Sequence, residues 1–186
     1  DEDYFYQCIK SDPEHVNVFG KFRKKNDPVF AADQRSKYFK YQGVGLDVFS
    51  LEKSNCFAAH MAKFLYQNLI HPTQYIKNRF WRHFAIKSVQ LLNFGLLIPL
   101  CRLIGRINHK GQYRYKLGSG FYQCGFSAED ILPLRTMEFA GREFPVPGNT
   151  DAYLTKIYGD WRKLPSEEQI RKTMHYPLYI KEIFGE

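Results

Sequence analysis

Alternating apolar and polar positions predict strands in the first third of the chain. Residues 15–22 alternate in this way, which is typical of a strand. Residues 43–51 are apolar on both faces except at Asp47, and this pattern predicts a buried central strand. The opening residues 3–10 instead place their large apolar side chains on one side of a predicted short helix.

A helical pattern follows over residues 55–108, with predicted breaks at His71-Pro72 and near Pro99. Basic residues flank its most apolar stretch: Lys77, Arg79, Arg82, Lys87, Arg102 and Arg106. Two interpretations remain open. The stretch is either a buried core helix or a helix that rests on an anionic membrane.

The C-terminal third has local signals for short elements. Residues 127–130 form a capping-box pattern for about one helical turn, and residues 137–146 predict a hairpin. A helix over 151–158 should end at Gly159, and a last helix should begin at Ser166.

The length of 186 residues predicts one domain over residues 1–186, with two very small domains as a distant alternative, and its predicted strands and helices belong to the α+β class. Hydrophobic residues make up 44% and aromatic residues 17%, which is enough for a core and a ring-lined cleft. The net charge of +8 favours an anionic partner: nucleic acid, a phosphorylated metabolite or an acidic membrane surface. The basic residues are spread along the chain, which weakens the nucleic-acid interpretation.

The four cysteines form no CxxC pair, so close metal-ligand spacing is absent from the sequence. We expect reduced, buried structural thiols in a cytoplasmic protein.

Asp47 is the first candidate for chemistry. A carboxylate inside an apolar strand costs several kcal/mol unless it is paired, protonated or bound to a metal. It is therefore either a hydrogen-bonded structural residue or a metal ligand or general base for phosphoryl chemistry. Lys21, on the preceding predicted strand, would reach a phosphate in the second case, although exposed strand lysines are ordinarily inert.

A second candidate set lies near the C-terminus. Arg side chains suit a phosphate, and Trp and Tyr suit a base or a quaternary ammonium. The alternative is an aromatic corner that packs the last helix against the body. The set comprises Tyr158, Asp160, Trp161, Arg162, Arg171 and His175.

These segments together resemble the LicD family, the phosphorylcholine transferases of bacterial surface glycans, whose relatives include fukutin-related proteins. Lys21 lies in an aromatic-small-Lys-apolar strand, and residues 43–51 resemble the family's G-apolar-apolar-apolar-D-apolar-F-P-L segment. Ser50 stands where Pro is usual, and Glu52 where Asp is usual. The strongest match is residues 138–147 followed by Tyr153-Leu154, Tyr158-Gly159-Asp160-Trp161, Leu164-Pro165, Arg171 and His175.

The resemblance implies a nucleotidyltransferase-like fold, a small mixed sheet flanked by helices, in which carboxylates on neighbouring strands bind Mg²⁺ or Mn²⁺. Asp47 would be the third carboxylate. The first two would precede an E-D-Y segment, which matches Glu2-Asp3-Tyr4 here. Asp1-Glu2-Asp3 is a poor substitute for these two carboxylates, because no apolar strand holds the three acidic residues in place. We therefore expect a fragment of a longer enzyme without its N-terminal catalytic strands.

The implied activity is transfer of phosphorylcholine, or a related alditol phosphate, from CDP-choline or a similar donor. The acceptor would be a hydroxyl of a cell-surface glycan or its lipid-linked precursor, as in lipopolysaccharide or teichoic acid synthesis. Asp47 would bind the metal or accept the hydroxyl proton. Lys21, Arg162 and Arg171 would balance phosphate charge, and Tyr158 or Trp161 would face the choline.

The substrate-binding positions also include Asp160 and His175 by the same resemblance, and the basic apolar helices would fit the inner face of a membrane. Two alternatives belong to other classes. One is a non-catalytic LicD-like partner domain. The other is a basic nucleic-acid-binding module, whose affinity would fall linearly with salt on logarithmic axes; we expect no nucleic-acid partner.

Overall fold

The computed structural model describes residues 2–26, 29–31, 38–119, 124–173 and 178–180, with 29–31 and 178–180 described by their backbone. These residues form an α+β fold of small antiparallel sheets and helices. The strands are β1 (Tyr4–Gln7), β2 (Gly20–Lys24), β3 (Val29–Ala31), β4 (Gly45–Val48), β5 (Leu51–Lys53), β6 (Tyr113–Tyr115), β7 (Arg135–Phe139), β8 (Arg142–Val146) and β9 (Leu178–Ile180). The helices are α1 (Cys56–Leu65), α2 (Arg79–Leu92), α3 (Ile98–Arg106), α4 (Ala128–Ile131), α5 (Thr150–Tyr158) and α6 (Glu167–Thr173).

The largest sheet in the described part of the chain has three strands in the order β1-β2-β4, and both pairings are antiparallel. Smaller pairs join β3 with β9, β5 with β6, and β7 with β8. The β2–β4 register sets Lys21 directly opposite Asp47.

Two strand-level predictions are wrong. The predicted N-terminal helix is instead the strand β1, because its backbone groups pair with β2, a partner that local apolar spacing does not reveal. The predicted buried central strand is instead β4, an edge strand of the sheet whose four residues are all exposed. Its apolar residues therefore do not mark a position inside a layered core.

The helical region differs from its pattern at both predicted breaks. At His71-Pro72 the helix changes type but does not stop: α1 continues through a π-helical turn, Tyr66–Ile70, and a 3₁₀ turn, His71–Tyr75, and the chain becomes extended at Ile76. Near Pro99 there is no break: α2, a π-helical turn Asn93–Leu97 and α3 form one continuous helix, Arg79–Arg106. Pro99 is the second residue of α3 and is separated from the wider π turn by Ile98 alone.

The core lies between α1, α3 and the chain after β6, with a second cluster around α2. The α1 N-terminus packs beside the α3 C-terminus, since Asn55 caps α1 through Ala58 N and donates to the carbonyls of Ile104 and Ile107, both at 2.8 Å. The buried apolar residues are Ala58, Ala59, Ala62, Ile98, Cys101 and Leu117 in the first cluster, and Val16, Tyr66, Ile70 and Ile86 in the second.

The predicted C-terminal elements are confirmed. Ser127 and Asp130 form the capping box of the one-turn α4, and β7 and β8 form the hairpin. Asn149 caps α5, which ends at Gly159 with φ of 73°. The four cysteines are free thiols, but only Cys101 is buried, so the expectation of buried thiols is wrong for the others.

Candidate functional site

The β2–β4 pairing brings the two N-terminal candidates into contact. Lys21 Nζ lies 2.8 Å from Asp47 Oδ1, and the side chains are 18% and 34% exposed. The sequence predicted a buried carboxylate at position 47, and this is wrong because β4 is an edge strand. The requirement for a partner is met nonetheless, by the ammonium group of Lys21.

Aromatic rings connect this ion pair to the C-terminal part of the fold. The Lys21 ammonium lies 5.7 Å from the ring centroid of Phe19, which packs at 4.6 Å on Phe49. Phe49 is 5.2 Å from Tyr115. Since Phe19 and Tyr115 are buried, the pair rests on a rigid aromatic base.

The same aromatic series continues to α5. Tyr115 contacts Phe126 at 5.9 Å, and Phe126 stacks on Tyr153 of α5 at 4.7 Å. The hydroxyls of Tyr115 and Tyr153 are 3.0 Å apart. Sequence reasoning quoted Phe49 and Tyr153 as motif positions but missed Tyr115 and Phe126, for which the signal was the aromatic-rich segment after α3.

The α5 helix is also held by α4. Lys156 of α5 contacts the Asp130 carboxylate of the capping box. Burial alone would raise the pKa of Asp130, but hydrogen bonds from Lys156 and Ser127 outweigh it and hold that pKa below its ordinary value. The last turn of α5, from which the following turn begins, is therefore held against α4.

Gly159 turns the chain so that the next residues reach back to the first turn of α5. Trp161 Nε1 donates to Asp151 Oδ1 at 3.1 Å, and Arg162 NH2 is 2.6 Å from the same oxygen. The Arg162 guanidinium lies 4.4 Å from the Trp161 ring centroid. Asp151, which sequence reasoning did not single out, thus organises the exposed Trp161–Arg162 pair.

The remaining candidates are placed separately. Tyr158 and Asp160 flank Gly159 at the same turn and are exposed. Arg171 lies on α6 and pairs with Glu167 at 3.7 Å, with both side chains largely exposed. His175 lies outside the described residues. The ion pairs of Arg162 and Arg171 are thus with Asp151 and Glu167 rather than with Asp47.

A buried polar network supports the sheet beside Lys21 and Asp47, and sequence reasoning missed it. Arg23 Nε donates to Gln7 Oε1 at 2.6 Å, and Arg23 NH1 donates to the Gly43 carbonyl at 2.8 Å. Gln7 Nε2 donates to Asp12 Oδ2 at 2.7 Å. In the register, Gln7, Lys21 and Asp47 form one row across the three strands, so this network fixes the backbone under the ion pair.

Glu52, which stands where the LicD family usually has Asp, already has an ion-pair partner and a hydrogen-bond donor. Its Oε2 pairs with Arg102 Nε at 2.9 Å, and its Oε1 accepts a 2.6 Å hydrogen bond from Leu117 N. Within the described ranges, no group of three His, Cys, Asp or Glu side chains could hold a metal ion. The resemblance implies two carboxylates beside Asp47, so the described residues do not form the three-carboxylate metal site that it implies.

Comparison with protein-family models, with curated proteins and with solved structures finds no match to this chain.

Proposed function

We propose that the chain is part of a LicD-type phosphotransferase, which moves phosphorylcholine or a related alditol phosphate from a CDP-linked donor to a glycan hydroxyl. The observation that supports it is the cross-strand ion pair of Lys21 and Asp47. Both residues stand at positions that resemble the family's strand motifs. They unite a carboxylate and an ammonium group on one partly exposed edge of a rigid sheet.

In the proposed reaction, the acceptor hydroxyl attacks the β-phosphorus of the donor. Its oxygen forms the new P–O bond, the bond to the bridging oxygen breaks, and CMP leaves with that oxygen. Asp47 accepts the proton that the hydroxyl loses. Lys21 moves its ammonium from Asp47 to the donor phosphate and so offsets the charge that develops there.

The head group would be held near the turn after α5. The Trp161 ring already lies against one cation, the guanidinium of Arg162. A quaternary ammonium is attracted to an aromatic face by the same electrostatic effect, and the exposed Tyr158 ring offers a second face. Arg162 and Arg171 would bind phosphate oxygens, in exchange for their exposed carboxylate partners.

The predicted Mg²⁺ or Mn²⁺ would need carboxylates in addition to Asp47. The proposal therefore assigns Asp47 the role of proton acceptor, and the role of metal ligand stays a prediction. A bound metal would supply charge neutralisation at the phosphates.

The test is CMP release from CDP-choline by the longest expressible form that contains this chain, followed by phosphorus NMR in the presence of Mg²⁺ and a glycan acceptor. We expect the CMP signal with the original chain and its loss with Asp47→Asn. Glu168→Gln is the matched control, because Glu168 pairs with Lys172 at 2.7 Å on the exposed α6. Equal CMP release by Asp47→Asn and the original chain would refute the role of Asp47.

A non-catalytic LicD-like partner domain is the second candidate. It is favoured by the ion pair itself, because Lys21 already neutralises Asp47 without any ligand. No CMP release by the original chain, together with a stability loss in Asp47→Asn, would support this candidate.

A further inference from the structure

The continuous helix Arg79–Arg106 has its apolar side in solvent. Its buried stripe includes the polar residues Arg82, Gln90 and Asn93. In contrast, Leu91 is 77% exposed and Phe80 is 69% exposed. A helix that packs only against its own protein buries its apolar residues and exposes its polar ones. The exposed side of this helix is therefore suited to contact an apolar environment other than the protein's own core.

The exposed apolar side runs the length of the helix. Phe80, Trp81 and Phe84 lie near its beginning, and Leu96, Leu103 and Ile107 follow towards and beyond its end. Lys87 is the one exposed charged residue between Arg79 and Arg106. This stretch combines aromatic and aliphatic residues, as helices at a bilayer surface do.

Helix α1 extends the apolar surface. It packs against α3 through the small residues Ala58 and Ala62. On its exposed positions it carries Phe57, Met61 and Phe64, which are spaced at i, i+4 and i+7 and therefore share one face.

The charge around these helices has one sign. Residues 53–128 contain eleven Lys or Arg and not one Asp or Glu, so the whole excess of +8 belongs to this segment. The exposed basic residues include Lys77, Arg79, Lys87, Arg106 and Lys110. An apolar surface with a cationic border complements anionic lipid headgroups. A second copy of the chain would instead bring like charges together.

The helix is long and apolar enough to cross a membrane, by length and composition only. Both ends are nevertheless tied to charged partners on other elements, through Arg82 with Glu14 and Arg102 with Glu52. A spanning orientation would carry these pairs and their segments into hydrocarbon, which is costly. An orientation parallel to the surface keeps them on the protein side.

We propose that helix Arg79–Arg106, together with the exposed face of α1, docks this protein on the surface of an anionic lipid bilayer. The apolar side chains enter the headgroup boundary, and the flanking lysines and arginines bind lipid phosphates. The inference stands on a different surface from Lys21 and Asp47 and does not depend on the proposed activity.

The test is vesicle flotation of the full chain, with phosphatidylcholine alone and with phosphatidylcholine plus phosphatidylglycerol. We expect binding to the anionic vesicles only, weakened about fivefold by Lys87→Gln and about a hundredfold or more by the double variant Leu91→Gln/Leu103→Gln. Leu164→Gln is the matched control, since Leu164 is 90% exposed and lies outside the helix. It should leave binding unchanged.

Insertion is measured in the variant Trp161→Phe, which leaves Trp81 as the single tryptophan. Its fluorescence should shift to shorter wavelength on adding anionic vesicles. No binding, equal binding to both vesicle types, or retention through an alkaline carbonate wash would overturn the proposal. It would also be overturned if the original chain self-associates and Leu91→Gln/Leu103→Gln abolishes that self-association instead of lipid binding.

Discussion

The Arg82 guanidinium donates two hydrogen bonds of 2.9 Å to the carboxylate of Glu14, 68 residues earlier in the chain. Both residues are buried, and the guanidinium lies 3.6 Å from the ring centroid of Tyr38. The hydrogen bond with Glu14 raises the pKa of Arg82. The pair connects the long helix to the segment between β1 and β2, so the apolar helix surface and the β-sheet belong to one packed unit.

Removing the charge of Glu14 should therefore destabilise the fold strongly. In Glu14→Gln the buried Arg82 loses its counter-charge, which typically costs about 3–5 kcal/mol of unfolding free energy. Urea denaturation measures the loss. Glu168→Gln breaks an exposed i,i+4 pair with Lys172 and should cost about 0.5 kcal/mol or less. Similar losses in the two variants would contradict the structural role of the Glu14–Arg82 pair.

Stability should also depend on the protonation of His15. Burial lowers the pKa of His15 from 6.5, and it outweighs the hydrogen bond with the Phe19 carbonyl, which raises that pKa. The charge of Asp12 also raises the pKa of His15, and the charges of Lys21 and Arg23 lower it. The unfolded chain consequently takes up the His15 proton near pH 6.5, whereas the folded chain takes it up only at lower pH.

The free energy of unfolding should thus decrease as the pH falls below 6.5. In His15→Gln, whose amide can also donate to the Phe19 carbonyl, this part of the decrease should disappear. Urea denaturation of both chains across this range measures the difference. Parallel curves for the two proteins would show that His15 does not carry the pH dependence.

The contact between α1 and α3 requires a small residue at position 105. A Cβ at Gly105 would lie 2.7 Å from Ser54 Oγ and 3.2 Å from Ala58 Cβ. We expect Gly105→Ala to lower the free energy of unfolding by about 1–3 kcal/mol through overpacking, despite the better helix propensity of Ala. Thermal unfolding measures this.

Ser54→Ala provides the control, because it removes the nearest atom and leaves Ser54 Cβ at an ordinary 3.5 Å. The double variant Ser54→Ala/Gly105→Ala should regain most of the stability that the single variant loses. Additive losses would show that the close approach at Ser54 is not the cause.

Local signals predicted the C-terminal elements well, since helix caps and tight turns depend on neighbours in sequence. The capping box of Ser127 and Asp130, the hairpin turn at Ala140-Gly141 and the end of α5 at Gly159 are all confirmed. The sheet was harder to predict. The β1 strand depends on pairing with β2, and apolar spacing around Tyr4 gave no information about that distant partner.

The candidate site likewise combines features that the sequence predicts with features that depend on distant residues. Pairing of Asp47 was one of the alternatives that followed from its expected burial, and the structure shows the pair with Lys21 although the carboxylate is exposed. The exposure of β4 could not be read from its residues, because apolar side chains at an edge strand resemble those of a central one. The supporting contacts of Tyr115 with Phe126 and of Asp151 with Trp161 depend on long-range packing or on turn geometry.

Calorimetric titration with CDP-choline, with and without Mg²⁺, of the longest expressible form that contains this chain is the most direct test of the proposed donor site. We expect CDP-choline to bind the original chain, Glu168→Gln and Asp47→Ala, because Asp47 accepts the proton of the acceptor hydroxyl and does not hold the donor. Binding should be lost in Lys21→Met, which removes the ammonium group that contacts the donor phosphate. Dependence of that binding on Mg²⁺ would add support for the metal role of Asp47. Absence of CDP-choline binding to the original chain under both conditions, or equal affinity of Lys21→Met and the original chain for CDP-choline, would contradict the proposed donor site.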